Sequence, residues 1–454
     1  MAHGMTLFDS LFRYEAVTKL FMDAAALQAM LDFEVALARA EAAAGVIPSS
    51  TATAIAAKCR AELFNVEKLR GDAALAGNVA IPLVHQLRNL VAAQDKDAAN
   101  FVHWGATSQD VMDTGLILRL REALRLIRAD TDRLCSALAE LAGRHRATPI
   151  VGRTLMQQAV PTTLGMKFAA WLDALLRHRA RLHETQQRCI VLQFGGAVGT
   201  LASLGSYAEA IAKNLSAELK LPLPQISWHS HRDRTAEIAT TLGLLTGTLG
   251  KIARDISLHA QTEIAEIHEP AEEGRGGSST MPHKRNPVVC ARILAASIRV
   301  PGLVSTMLAA MPQEFERGLG PWHAEWETLP EIVSLSAGAL HQLTDIAPRL
   351  ELDVARMSQN LASTSGLIFA EAASAALGQK ISRLQARQLL DDAFQRSVQE
   401  KLPLRRVLEL DQIIAQHFSP EELDKLFDAR NYSGSSSRNI DAVMATFKSR
   451  KHAE

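Results

Sequence analysis

Apolar residues recur along this chain at three- and four-residue steps, the spacing of one face of an α-helix rather than the alternation of a strand. Leu116, Leu120, Leu124, Ile127, Leu134, Leu138 and Leu141 trace one such stripe, broken by a single seven-residue step. Arg119, Arg121, Arg125, Arg128 and Asp132 fall mostly between its members. A second stripe runs through Leu164, Phe168, Trp171, Leu172, Leu175 and Leu176, and a third through Ile238, Leu242, Leu245, Leu249, Ile252 and Ile256. No proline interrupts the stretches between Pro82 and Pro149, Pro161 and Pro222, Pro224 and Pro270, or Pro348 and Pro403, which leaves room for unusually long helices. Gly243, Gly247 and Gly250 would each cost a helix about 1 kcal/mol relative to Ala, so they read as places where another helix comes close. Strand signals are few, and Cys189–Phe194 is the one apolar run that could form a strand. The pattern predicts an all-α protein.

Three regions follow from it. Residues 1–112 form a helical N-terminal part, residues 113–350 a bundle of the longest helices, and residues 351–454 a region of shorter ones. In the last, Ser419-Pro420-Glu421-Glu422 reads as a cap, a first helical residue and an acidic first turn, and Tyr432–Ser437 as a polar loop. A chain of 454 residues exceeds one ordinary core. Its 47% hydrophobic content with only 5% aromatics is dominated by Ala and Leu, which suits closely packed helices.

Lys plus Arg and Asp plus Glu number 49 each, so nothing in the overall charge draws nucleic acid or an anionic membrane. Anion specificity must come from local clusters. Cys59, Cys135, Cys189 and Cys290 are scattered without a CxxC and read as buried, reduced thiols. Met1–Met5 lacks the start of a signal peptide, and the apolar window Ile293–Met311 is interrupted by Arg299, Pro301 and Gly302, a poor membrane span. A cytoplasmic location is expected.

The densest chemistry lies in 274–287, read Gly-Arg-Gly-Gly-Ser-Ser-Thr-Met-Pro-His-Lys-Arg-Asn-Pro. Its glycines bend freely, hydroxyls and Lys284 follow, and Asn286-Pro287 reads as N-cap and first residue of a helix from Val288 to about Arg299, ending at Pro301-Gly302. Hydroxyls, an ammonium and a helix N-terminus thus converge on something anionic. It is no P-loop: no Gly precedes Lys284, and no Ser or Thr follows it. A second polar run, His103-Trp104-Gly105-Ala106-Thr107-Ser108-Gln109-Asp110, sits before the first long helix, where Thr107 and Ser108 could seat a carboxylate or simply cap the helix. Gly152-Arg153-Thr154-Leu155-Met156-Gln157-Gln158-Ala159 precedes the second long helix, and Gly195–Thr200 is a flexible turn. Trp228–Arg234 is rich in donors, and Glu314, Arg317, His323, Glu325 and Glu327 surround Trp322 and Trp326; either group could be a site or a solvated face. There is no HExxH, and cations crowd the one HxH pair, so no metal site is expected.

Taken together these stretches resemble the fumarase/aspartase superfamily. GSSTMPHKRNP at 277–287 matches its signature loop, and HWGATSQD and GRTLMQQA fall in the expected order. Within it, AGNVAIP at 76–82, QFGGA at 193–197 and WHAEWET at 322–328 are similar to the 3-carboxy-cis,cis-muconate cycloisomerases. The resemblance implies three helical domains, a central bundle that assembles into a homotetramer, and active sites shared by three subunits. Position by position it implies Ser278 as the catalytic loop serine, with Lys284 and Asn286 holding a substrate carboxylate. Thr107 and Ser108 match the carboxylate-binding pair and Gln157 a polar contact; His103 and Arg317 are taken as further substrate contacts, and Leu155 as a wall of the pocket. The departures are Leu155, where C–N lyases of the superfamily have His after Gly-Arg-Thr, and the surroundings of Gly77-Asn78, where a second His-Asp pair of the adenylosuccinate lyases is replaced.

The chemistry explains how those histidines could be absent. A C–N or C–O lyase helps its leaving group with a general acid. In lactonisation the substrate's own carboxylate is the nucleophile and, in reverse, a leaving group with an ordinary pKa near about 4. The resemblance therefore implies a cofactor-free cycloisomerase acting on a small anionic 3-substituted muconate, carboxylate or sulfonate, in aromatic-compound degradation. An adenylosuccinate lyase-like C–N lyase releasing fumarate and a non-catalytic structural homologue are the alternatives.

Overall fold

The computed structural model describes residues 7–277, 280–281 and 284–451. The elements that organise it are α1 (Asp23–Ala43), α2 (Ser108–Arg144), β1 (Pro149–Thr154), β2 (Gln157–Thr163), α3 (Leu164–Cys189), α4 (Ala208–Leu219) and α5 (Asp233–His259), then β3 (Ile267–His268), α6 (Val288–Ala309), α7 (Pro321–Ile346) and β4 (Glu351–Leu352). The three apolar stripes land on α2, α3 and α5, and the fold is all-α as expected. The chain divides into two compact units, each assembled from three separated stretches: one ends its stretches at Thr131, Gly250 and Gln342, the other holds Asp132–Arg177, Lys251–Ala291 and the chain from Leu343. Each boundary falls inside a long helix.

In the first unit α5 is the hub. A Cβ at Gly243 would lie 3.0 Å from Val304 of α6, and one at Gly250 2.6 Å from Ser297, so both glycines mark close helix approach; Gly247 faces open space. Thr246 donates to Ser336 of α7 at 2.8 Å, and His178 of α3 meets Thr248 at 2.7 Å. These hydroxyls face inward because each has a partner across the interface.

Glu41 on α1 has none. It is 0% exposed, and neither carboxylate oxygen is hydrogen bonded among the described residues. Burial, with nearby Glu34 adding to it, pushes its pKa up to about 9. The folded chain therefore keeps a proton that the unfolded chain has already released. The group's contribution to stability is fully present below the ordinary carboxylate range and falls as pH rises toward the folded value, by about 1.4 kcal/mol per pH unit. Glu41→Met is expected to unfold at higher denaturant than wild type, with a gap that widens from pH 5 to pH 8. A constant gap in matched titrations would contradict this.

In the second unit β1 and β2 form an antiparallel hairpin, Pro149 opposite Thr163 and Thr154 opposite Gln157, with a bulge between Val151 and Arg153. Gly165 at the start of α3 sits against the end of α2, where a Cβ would meet the Ala142 carbonyl at 2.6 Å. Leu377, Leu390, Ala393, Leu404, Val407 and Leu408 centre a separate apolar cluster of the C-terminal helices. The helix Pro420–Leu426 opens with the expected capping box between Ser419 and Glu422.

Three local expectations are corrected. Cys189–Phe194 is not a strand: α3 ends at Cys189, and residues 190–194 form an irregular buried connector. Its apolarity reflects burial, and its backbone groups pair out of register, Leu192 N with Pro222 O and Gln193 N with Thr114 Oγ1. The hairpin escaped notice because its two-residue turn is Leu155-Met156 rather than Asn-Gly. The third is α6, which runs through Pro301 to Ala309 instead of stopping at Arg299. Proline removes one helical bond, a cost of about 3 kcal/mol in an interior position. The buried positions Val300, Met307 and Ala310 beyond and beside it continue the helical period, so packing carries the helix past the break.

Candidate functional site

The first unit builds its candidate site at the N-terminus of α2. Gly105 holds φ +73, and a Cβ there would lie 2.3 Å from Leu204, so the chain turns where a side chain would not fit. Ser108 is the first residue of α2, and Thr107 precedes it, accepting at its carbonyl from Asp110 N at 2.9 Å. Both hydroxyls are half-buried, and neither has a hydrogen bond among the described residues. They remain open to an incoming carboxylate.

Asp110 is what fixes this turn. It is 0% exposed and accepts from Thr107 N at 3.1 Å, Gly195 N at 3.0 Å, Gly196 N at 2.9 Å and His229 Nε2 at 2.7 Å. One carboxylate thereby joins the Thr107 turn, the Gly195-Gly196 turn and the Trp228–Arg234 segment. Gln109, also buried, donates to Asp113 and to His229 O and accepts from Arg317 Nε at 3.1 Å; Arg317 also donates to Ala197 O at 3.1 Å. His103 lies at φ 61 with Nδ1 2.5 Å from Glu34. Burial opposes its charge, but the Glu34 carboxylate and hydrogen bond outweigh this and raise its pKa above the ordinary value. Thr107, Ser108 and Arg317 are thus set by the buried Asp110 and Gln109, while His103 is held separately by the buried Glu34.

Trp228–Arg234 is no solvated face. Trp228, His229 and Arg232 are all nearly inaccessible, and Arg232 forks between Asp113 and Glu325 while lying over the Trp228 ring. Sequence reading missed Asp110 and His229 as organisers. The available signal was the pairing of an acid two residues into α2 with a donor-rich run, but nothing in the sequence aligned them. Asn78 is also accounted for: its Oδ1 accepts from Ala80 N and Ile81 N, capping the helix Ala80–Ala92.

The second unit holds Lys284, Asn286, Leu155 and Gln157. Lys284 and Asn286 line one cavity of about 320 Å³ together with Glu269, Arg275 and Gly277. Asn286 does not cap α6. Its N and Nδ2 both donate to Gly276 O, at 2.9 and 3.1 Å, and the first helical bond of α6 is to the Pro287 carbonyl. Gly276 holds φ +64, where a Cβ would lie 2.3 Å from the Asn286 carbonyl. The helix N-terminus is occupied by the protein's own Glu269, which accepts from Val289 N at 3.2 Å and Cys290 N at 2.7 Å. The anion expected at this helix is therefore internal. Ser278, the expected catalytic serine, lies outside the described residues.

Leu155 and Met156 form the hairpin tip, outside the lining of that cavity. Both have positive φ, 49° and 67°, and they are 97% and 70% exposed. Such a turn suits Asn-Gly, and a branched Leu there is strained. Gln157 follows as the first residue of β2, also exposed. The hairpin is anchored by Arg153, bidentate to Glu266 at 2.8 and 2.9 Å. Burial opposes the Glu266 charge, but His259, Arg153 and Asn360 hydrogen bonds hold its pKa down to about 2. Replacing Leu155-Met156 by Asn-Gly is expected to stabilise the chain by about 1–2 kcal/mol while lowering turnover. Thermal melts and initial rates on one preparation test both halves, and a less stable variant would contradict the strain.

An all-α chain whose polar frame sits at long-helix termini, with a cationic loop before α6, defines the class. Residues 13–302 match the family described as Lyase, and residues 366–443 the one described as Adenylosuccinate lyase C-terminus. The chain belongs to this lyase family. More particularly, it is 52% identical over 439 residues to a 3-carboxy-cis,cis-muconate cycloisomerase of Pseudomonas aeruginosa, covering 97% of this chain and 96% of that one. A protein of the same name from Acinetobacter baylyi is 45% identical, with 97% and 98% covered. The crystal structure of 3-carboxy-cis,cis-muconate lactonizing enzyme from Pseudomonas putida superposes with a TM-score of 0.95 at 50% identity, covering 98% of this chain and 99% of that one.

Proposed function

We infer that this chain is a 3-carboxy-cis,cis-muconate cycloisomerase, an intramolecular lyase that closes its substrate to a lactone. The observation that carries the reading is the likeness over nearly the whole chain to proteins named for this activity. Leu155 agrees with it: an apolar, exposed residue offers no acid to a departing amine, and this reaction needs none.

In the reaction one carboxylate oxygen of the substrate bonds to a carbon of the distal double bond. The displaced π pair takes a proton at the carbon alpha to another carboxylate, through an enediolate-like state. Attack is intramolecular, so the protein's main role is to fold the substrate and steady the charge. Thr107 and Ser108, with open hydroxyls on a turn fixed by Asp110, hold a carboxylate. Lys284 stabilises the extra negative charge. Ser278 donates the proton to carbon, an assignment supported by the resemblance of its loop. Gln157, His103 and Arg317 contact the substrate, and Leu155 shapes the pocket.

A homotetramer with shared sites completes the reading. It is supported by α6, a predominantly apolar helix of 22 residues with only 28% of its most apolar window buried, and by the bare Leu155-Met156 tip. Such faces call for a covering partner. Loss of the conjugated-diene absorbance of 3-carboxymuconate, unchanged by a chelator, tests the activity. Fumarate release from adenylosuccinate without that loss would favour the C–N lyase. Light scattering on an eluting column peak tests the assembly.

A further inference from the structure

Glu269 lies just ahead of the cationic loop and is only 7% exposed, yet it touches no side-chain cation in the described residues. Its carboxylate instead takes two of the N–H groups that a helix start leaves unpaired. The same residue's carbonyl accepts from Arg285 Nη2 at 2.8 Å. Arg285 in turn donates through Nη1 to Glu351 at 2.7 Å, and the other Glu351 oxygen accepts from Ala271 N at 2.7 Å. The short β3–β4 pairing sets Glu351 opposite His268, the residue before Glu269. Two further bonds, from Asn286 to Gly276 O, close the base of the loop.

Lys284 is therefore followed in sequence by three consecutive anchors. Arg285 is clamped to Glu269 and Glu351, Asn286 to Gly276, and the start of α6 to the Glu269 carboxylate. We propose that Glu269 is a positioning residue for the lactonisation, setting where the Lys284 ammonium stands through α6 and Arg285. Arg285, though cationic and beside Lys284, belongs to this clamp and does not contact substrate. This inference rests on the functional reading above. It also gives the helix start a different role, since the N-terminus of α6 already holds an anion and the substrate's charge is met by side chains.

The decisive comparison is wild type against Glu269→Gln on 3-carboxymuconate. Glutamine keeps the size but turns an NH₂ toward one of the two backbone N–H groups, so the start of α6 must shift. Catalysis is sensitive to displacements of this scale, so kcat is expected to fall by about ten-fold or more. KM should change by less than about three-fold, since substrate carboxylates are also held elsewhere. In a Lys284→Met background the same substitution should cost no more than about two-fold, because its effect passes through the lysine. A loss that multiplies in the double variant, or a kcat within about two-fold of wild type in the single one, overturns the proposal. Should Glu269→Gln fail to fold, Glu351→Gln at a half-exposed site is used, with kcat down by about three-fold or more at unchanged melting temperature; an unchanged kcat then overturns it. A wild type without turnover would sink the functional reading itself, which separates the two failures.

Discussion

Lys284→Met is expected to lower kcat by about 10²–10³ and to change KM far less. The effect is one of timing. A substrate with three carboxylates is already anionic on binding, but the enediolate-like state concentrates new charge on one of them. An ammonium aimed there contributes most when that charge develops. Lys284 is exposed and lines the cavity, while the residues after it are clamped to the protein. Its side chain is thus left exposed on a backbone whose following residues are anchored. Equal losses in kcat and kcat/KM with KM unmoved would support the assignment; a raised KM with kcat intact would show uniform binding instead. Ser278→Ala, in the same loop, is expected to be as damaging, by about 10²–10⁴, since no other proton donor to carbon is assigned.

Arg232→Met should be the most destabilising single change in the first unit, by about 3–5 kcal/mol. Arg232 is 2% exposed, and its guanidinium satisfies Asp113 and Glu325, themselves 2% exposed. Removing it leaves two buried carboxylates with Trp322 and Gln109 as the remaining donors to Asp113. Burial already raises the Glu325 pKa even against the Arg232 charge, so without that charge protonation becomes the way out. The deficit should therefore be larger at pH 8 than at pH 5, read from denaturant midpoints at both. A deficit independent of pH would mean that lost packing, not lost charge, dominates. Because Asp113 shares Gln109 with Arg317, the variant should also raise KM.

Much of the helical skeleton was legible in the chain because burial and helical geometry impose the same period. Leu116 to Leu141, Leu164 to Leu176 and Ile238 to Ile256 could be read as helices without knowing what they touch. Ser419 to Glu422 was legible for a more local reason, since a capping box closes within its own four residues. Leu155 was legible as a chemical departure, although its place on a strained hairpin tip was not. The hairpin carried neither a regular alternation nor a turn dipeptide that its φ values favour. Pro301 misled for a related reason: its local cost is written in the sequence, while the packing that offsets it comes from Gly243 and its neighbours on another helix.

The sequence by itself determined the all-α class, the long helices, and the residue types gathered before α2 and α6, because periodicity, capping and hydroxyl-rich loops are properties of neighbours along the chain. Tertiary structure alone decided which of those groups remain available to a substrate. Asp110 meets His229 across 119 positions, Arg232 meets Asp113 across the same separation, and Glu269 fills the helix start 20 positions later. A buried charge is settled by whatever partner folding brings to it, and no local pattern records that partner. The loop before α6 is therefore still the cationic feature first read, but its helix dipole is already answered by Glu269, and its lysine is the part left exposed on the cavity.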